Sequence, residues 1–138
     1  GKLEQLKDAL RASRRLGEAL ADSTARALAE RASADGDAAV QVVRIPIDDP
    51  KLLQAAARRF SAEASAGVAL LLGGDGPQGP FALGGAGDAG HDLAALGGVA
   101  AAALEGRGGG KDVFQGKGAR IDRDQRALEA LRDAIAGS

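Results

Sequence analysis

The sequence contains no cysteine, methionine, tryptophan or tyrosine, and phenylalanine occurs only as Phe60, Phe81 and Phe114. Without cysteine there is no disulfide framework, no thiolate metal site and no cysteine nucleophile, which fits a cytoplasmic protein. No apolar run approaches the roughly 20 residues that cross a bilayer, and no signal peptide is visible. We therefore expect no membrane partner.

The apolar residues that are present are mainly alanine and leucine. The 138 residues are enough for one domain with a real core, and that core is expected to be aliphatic because aromatic side chains are so few. The chain begins with Gly1 rather than methionine. We therefore expect a fragment of a longer protein.

The net charge of −1 is unevenly distributed along the chain. Residues 1–31 hold seven basic and five acidic side chains, and so do residues 106–138, whereas residues 32–105 hold four basic and nine acidic ones. Phosphate attraction is the main sequence-independent contribution to nucleic-acid binding. A nucleic acid is thus expected to meet the two ends of the chain rather than its middle.

Local patterns predict alternating helices and strands. Asp49 and Pro50 are typical of a helix cap and a first helical residue, and Asp122 with Gln125 approximates the capping box of a last helix. Apolar periodicity predicts helices at 2–32, 50–65, 88–104 and from 122 onward, and strands at 39–47, 67–73, 81–85 and 113–115.

This order predicts an α/β fold with a mixed sheet of about four strands flanked by helices, preceded by a long N-terminal helix. Residues 1–32 are expected to form a connector or dimerisation helix, and residues 33–138 the α/β domain.

The strongest functional candidate is the segment from Gly106 to Arg120. Four basic side chains surround three consecutive glycines, with Asp112 as the only acid. Glycine lets a backbone approach another molecule closely, and successive N–H groups can hold an anion. We expect a loop between a helix and a strand, with the basic residues on phosphates and Gln115 on a sugar or base edge. The candidate nucleic-acid-binding residues are Arg107, Gly108, Gly109, Gly110, Lys111, Gln115, Lys117 and Arg120.

The same segment carries a family resemblance. An alanine-rich helix, then Gly-Arg-Gly-Gly-Gly-Lys-Asp-Val-Phe-Gln-Gly-Lys-Gly at 106–118, then a short terminal helix resembles the end of the DHHA1 domain. That domain closes alanyl-tRNA synthetases and the long form of the freestanding alanyl-tRNA editing proteins. Phe114-Gln115 is more similar to the editing proteins, since Ala-Gln is usual in the synthetases. Related phosphoesterases carry histidine directly after the glycines, where this chain has Lys111.

The resemblance implies a non-catalytic accessory domain that helps an alanyl-tRNA hydrolase or an alanine-tRNA ligase to hold tRNA(Ala). It implies no cofactor in this chain, because the editing enzymes use a zinc site of histidines and a cysteine in a separate upstream domain. The partners that it implies are tRNA(Ala) and upstream domains of the same protein.

Three other functions can be considered from the residues. An oligomerisation module would use the N-terminal helix and helix 88–104 as a subunit contact, giving a homodimer. A phosphoesterase would need divalent metal, and the sequence offers no evident ligands, since His91 is the only histidine. The G-x-G-x-x-G match at 85–90 would need a following parallel strand that ends in an acid, as a dinucleotide site does, whereas Glu105 is expected to close a helix.

Overall fold

The computed structural model describes residues 1–35, 40–87, 90–110 and 112–137. In these residues the long helix α1 comes first, and three further helices are separated by single strands or by pairs of strands. In chain order the elements are α1 (Lys2–Asp35), β1 (Val40–Ile45), α2 (Pro50–Glu63), β2 (Val68–Gly73), β3 (Gly79–Gly85), α3 (Leu93–Ala103), β4 (Gly106–Gly109), β5 (Phe114–Gly118) and α4 (Asp124–Ala136).

The strands form one mixed sheet in the order β1-β2-β3-β5-β4. The first pair is parallel and every other pair is antiparallel. The α/β fold with a long N-terminal helix is confirmed, and the sheet has five strands where about four were expected. The additional strand is β4, at one edge.

Two apolar clusters cover the two faces of the sheet. One cluster joins Leu71 and Ala82 to α1 and α2, with Phe60 fully buried in it. The other joins Leu70 and Leu83 to α3 and α4. Adjacent strand residues thus point to opposite faces, and helices pack against both.

The ends of two helices show why local signals succeed or fail. The Asp49 cap of α2 is confirmed, since its Oδ1 accepts a hydrogen bond from the backbone N–H of Lys51 at 3.0 Å. The expected capping box at Asp122 is wrong, because α4 begins at Asp124 and has no side-chain cap bond. The carboxylate of Asp122 is instead bound to Arg120.

The expected start of a helix at residue 88 is also too early. Residues 88 and 89 lie outside the described residues, and Gly90 has φ 71°, which is outside the helical region. The Oδ1 of Asp92 then accepts from the N–H of Ala95, and α3 runs only from Leu93 to Ala103.

The two halves of α1 have different surroundings. Its second half packs on α2 through a stripe of buried small and aliphatic residues, which are Ala21, Ala25, Leu28, Ala29 and Ala32. Its first half leaves five leucines 41–72% exposed, which are Leu3, Leu6, Leu10, Leu16 and Leu20. Exposed leucines of this kind are expected in a helix that connects to another domain or contacts a second subunit. This role for residues 1–32 stays a prediction.

Candidate nucleic-acid interface

The glycine-rich segment is an edge strand and not the loop that was expected. Gly106–Gly109 pairs antiparallel with β5, and Gly108 lies directly opposite Gly116. A Cβ on Gly108 would overlap the carbonyl oxygen of Gln115, and one on Gly116 would overlap that of Arg107. Glycine is therefore needed for these two backbones to lie so close, and tertiary pairing overrides the low strand propensity of glycine.

The register of this hairpin brings two basic side chains together. Arg107 lies directly opposite Lys117, and Gly109 lies opposite Gln115. Because partners in a sheet point to the same face, all four residues lie on one side of the β4–β5 hairpin. Arg107 and Lys117 are both exposed. Two positive charges facing each other repel, so an anion placed between them is attracted by both.

This side of the hairpin is open because α2 does not extend over it. The opposite partner of Gln115 is Ala82, which belongs to the cluster under α2, so the hairpin continues the face on which α2 packs. The residue just before β5 is still covered, since Val113 is only 6% exposed. Gln115 is half-buried and Lys117 is exposed, so the surface opens toward the end of β5.

One side of α2 forms a wall beside this open face. Helix side chains turn by about 100° per residue, so positions 54, 58 and 61 lie on one side and 56, 59 and 63 on the other. The second side faces α1, because Arg59 Nη1 lies 2.8 Å from Asp22 Oδ1. The first side turns away from α1 and lies over β3, where Ser61 Oγ accepts from the N–H of Gly85 at 3.2 Å.

Among the described residues, neither Arg107 nor Lys117 has an ion-pair partner. Arg120 differs, since its Nε and Nη2 donate to the two carboxylate oxygens of Asp122, each at 3.0 Å. This paired hydrogen bond lowers the pKa of Asp122 and raises the pKa of Arg120. Of the four predicted phosphate contacts, Arg107 and Lys117 are therefore free of such pairing and Arg120 is already neutralised by an acid. Lys111 lies outside the described residues.

The three glycines at 108–110 have different local requirements. Gly108 is required by strand pairing, and Gly110 has φ 136°, which other residues rarely adopt. Gly109 has no atom within 4 Å of an added Cβ, so packing does not require glycine there. Because it shares the face of Arg107 and Gln115, Gly109 leaves the space between the basic pair and the turn without a side chain.

Apart from the open hairpin face, a cleft of about 270 Å³ is lined by Ser61, His91 and Asp112, among other residues. A serine nucleophile would need a hydroxyl free to react with an adjacent base. The Ser61 hydroxyl instead donates to the carbonyl oxygen of Ala57 at 3.1 Å and accepts from the N–H of Gly85. Its position is thus explained by packing of α2 on β3. In the described ranges, no three acidic or histidine side chains gather into a possible metal site.

The glycine motif at 85–90 leads into α3, and the chain then turns at Glu105, which has φ 52°. The next strand, β4, is antiparallel to its neighbour and begins after that acid. The arrangement that a dinucleotide site requires is therefore not formed by these elements. None of the described helices is long and apolar enough to span a membrane.

The fold is similar to that of a known domain. The crystal structure of the C-Ala domain from Aquifex aeolicus alanyl-tRNA synthetase superposes with a TM-score of 0.59 and 22% sequence identity, over 73% of this chain and 94% of that chain. At this level of identity the likeness concerns the fold. No protein-family model matches the sequence, and no curated protein does either.

Proposed function

We propose that this chain is a DHHA1-type, tRNA-binding accessory domain at the C-terminus of an alanyl-tRNA editing enzyme or an alanyl-tRNA synthetase. Its task is to hold tRNA(Ala) in the cytoplasm while an upstream domain, with zinc in the case of editing, carries out hydrolysis. The main support for this proposal is the exposed pair of Arg107 and Lys117 on an open sheet face. Support also comes from a fold shared with a domain of alanyl-tRNA synthetase.

The geometry accounts for binding without catalysis. A backbone phosphate that lies between Arg107 and Lys117 relieves their mutual repulsion, and the two side chains displace cations that are condensed on the RNA backbone. The amide of Gln115 lies on the same face and can donate to a sugar or base edge. The bare backbone at Gly109 lets the RNA come close to the strand. Phosphate contacts of this kind position an RNA without reading its sequence.

Neutralising the basic pair tests this function. The double variant Arg107→Gln and Lys117→Gln is expected to lower the slope of log K against log salt by about 1.4 to 1.8, because each phosphate contact contributes about 0.7 to 0.9. The measurement is fluorescence anisotropy of a labelled tRNA(Ala) transcript between about 50 and about 200 mM salt, a range over which phosphate contacts change affinity strongly.

The matched control removes two arginines from the other side of the sheet. Arg126 and Arg132 are exposed on α4, which packs on the opposite face. The double variant Arg126→Gln and Arg132→Gln changes the net charge equally and should leave the salt slope unchanged. Equal slopes for the wild type and the Arg107/Lys117 variant, with circular dichroism showing that both are folded, would contradict the proposed function.

A second candidate function is an oligomerisation module, and the exposed leucines of α1 favour it. Helix α3 buries Leu93, Leu96 and Ala100 inside the domain, so a subunit contact there would use its opposite, exposed side. If α1 makes a subunit contact, replacing Leu3, Leu6 and Leu10 with glutamine should convert a dimer to a monomer in sedimentation velocity. RNA binding by each subunit should then persist. A wild-type chain that sediments as a monomer at micromolar concentration contradicts this function.

A further inference from the structure

The side of α2 that turns away from α1 carries a basic residue, Arg58, which has no ion pair among the residues that the structure describes. We infer that Arg58, with Gln54, forms the second wall of the RNA site, so that the RNA backbone lies in a channel between α2 and the β4–β5 hairpin. This inference rests on the proposed function and adds to it a binding residue and a path for the RNA.

The direction of Arg58 follows from the contacts of its neighbours on α2. Ala57 and Ser61 lie against β3, since a Cβ on Gly84 would touch Ser61 Oγ at 3.0 Å and overlap the carbonyl oxygen of Ala57. Arg59 turns to the other side and reaches Asp22 of α1. At about 100° per residue, Arg58 lies beyond Ala57 on the side away from α1. That is the side on which β5 and β4 follow β3 in the sheet.

Arg58 and Arg59 are adjacent but differ in their electrostatic surroundings. The Arg59 guanidinium lies 2.8 Å from Asp22 and 3.4 Å from Glu63, so two acids compensate its charge. Arg58 is exposed, and no ion pair involves it in the part of the chain that the structure describes. Of this pair, only Arg58 has a charge that is available to a ligand.

The dimensions of the sheet place Arg58 and the basic pair on different phosphates of one RNA strand. Ala57 packs on Gly84, whereas Lys117 pairs with Pro80, four residues earlier in β3 and so about 13 Å away at about 3.3 Å per residue. Neighbouring strands are about 4.8 Å apart, so β5 and β4 lie about 5 and about 10 Å from the strand that α2 covers. Gln54 lies one turn earlier on the same flank and is half-buried, which places an amide at the side of the channel.

The far end of the channel has a different character. There a cleft of about 380 Å³ is lined by Lys117, Gln78 and Asp48, among other residues. The carboxylate of Asp48 disfavours a phosphate at that end because like charges repel. The phosphate that Lys117 binds therefore lies on the hairpin side of this cleft, and the RNA leaves the channel before it reaches Asp48.

The first test is the single variant Arg58→Gln with the same labelled tRNA(Ala) transcript. Loss of one phosphate contact should lower the salt slope by about 0.7 to 0.9 and weaken binding about tenfold at low salt. Arg132→Gln, on the opposite face, is the matched control and should leave both quantities unchanged. An unchanged slope for Arg58→Gln overturns the inference.

The second test locates the RNA, and the absence of native cysteine makes it specific. An iron chelate attached to Arg58→Cys should generate radical cleavage in the same stretch of tRNA nucleotides as one attached to Arg107→Cys, while Arg132→Cys should give none. Cleavage from position 107 without cleavage from position 58 overturns the channel but leaves the proposed function intact. Unchanged binding when Arg107 and Lys117 are both neutralised overturns the proposed function itself.

Discussion

Replacing Phe60 with alanine should lower the free energy of unfolding by about 3 to 5 kcal/mol, the largest stability change that we expect in this protein. Phe60 is fully buried in the cluster that joins α1 and α2 to the sheet. Its neighbours there are mostly alanines on helices and aliphatic residues on strands, and a rigid backbone cannot close the cavity that a lost phenyl ring leaves. A domain is typically stable by only about 5 to 15 kcal/mol, so much of the stability would be lost.

Urea unfolding followed by far-ultraviolet circular dichroism measures this loss, since the chain has no tryptophan or tyrosine for intrinsic fluorescence. Ala62→Gln is the control, because Ala62 is exposed two residues along the same helix and glutamine is also a good helix former. This control should change stability by no more than about 0.5 kcal/mol. Similar unfolding midpoints for Phe60→Ala and the wild type would show that α2 is not held by this cluster.

Replacing Gly97 with valine is expected to cost about 3 kcal/mol, the second-largest effect. A Cβ at Gly97 would overlap the ring of Phe114, which is 6% exposed. The ring has little room to move, since it stacks on Phe81 with 6.1 Å between centroids and 19° between planes. Because Phe114 begins β5, its displacement would also disturb the hairpin that carries Lys117.

The adjacent residue provides the control for this substitution. Gly98 is exposed and has no atom within 4 Å of an added Cβ. Gly98→Val should therefore change stability by only a few tenths of a kcal/mol, in the direction of the small helix preference of valine over glycine. The two variants differ only in which glycine is replaced. Equal unfolding free energies for them would contradict the packing of Phe114 on α3.

The sequence predicted those parts of the fold where a local signal and a tertiary contact agree. Asp49 with Pro50 starts α2, because capping and the missing proline N–H act within a few residues. The aliphatic run at 67–73 predicted β2, whose residues Val68 to Gly73 are all buried. Apolar side chains in an unbroken run indicate a strand covered on both faces.

The errors occur where another residue competes with the local signal, either from a distant part of the chain or from close by. β4 was missed because glycines are unfavourable in isolated strands. The glycine-rich strand can pair closely with β5 only because Gly108 lies opposite another glycine, Gly116. The start of α4 was misplaced because Asp122 binds Arg120 rather than a helix N–H. The first pairing depends on a residue eight positions along the chain, and the second on a competition between a side chain and a helix N–H that the sequence alone does not decide.

The candidate site was predicted only in part. The basic character of the segment 106–120 is visible in the sequence, but the pairing of Arg107 with Lys117 depends on a register that only the hairpin establishes. Arg58 was missed because it lies in the acidic middle of the chain, where counting charges along the sequence gives the wrong sign for a phosphate-binding surface. Its position relative to the hairpin becomes visible only when α2 is packed on β3.

The face-to-face arrangement of Arg107 and Lys117 has a consequence for the unliganded domain. Dissolved ions weaken the repulsion between these two side chains and so make the folded hairpin slightly more favourable, since exposed charges are screened over about 10 Å at about 0.1 M ionic strength. The same ions compete with a phosphate chain for the same two groups. A rise in ionic strength should therefore stabilise the unliganded hairpin and weaken its affinity for RNA. The same pair of residues thus gives salt responses of opposite sign for stability and for binding.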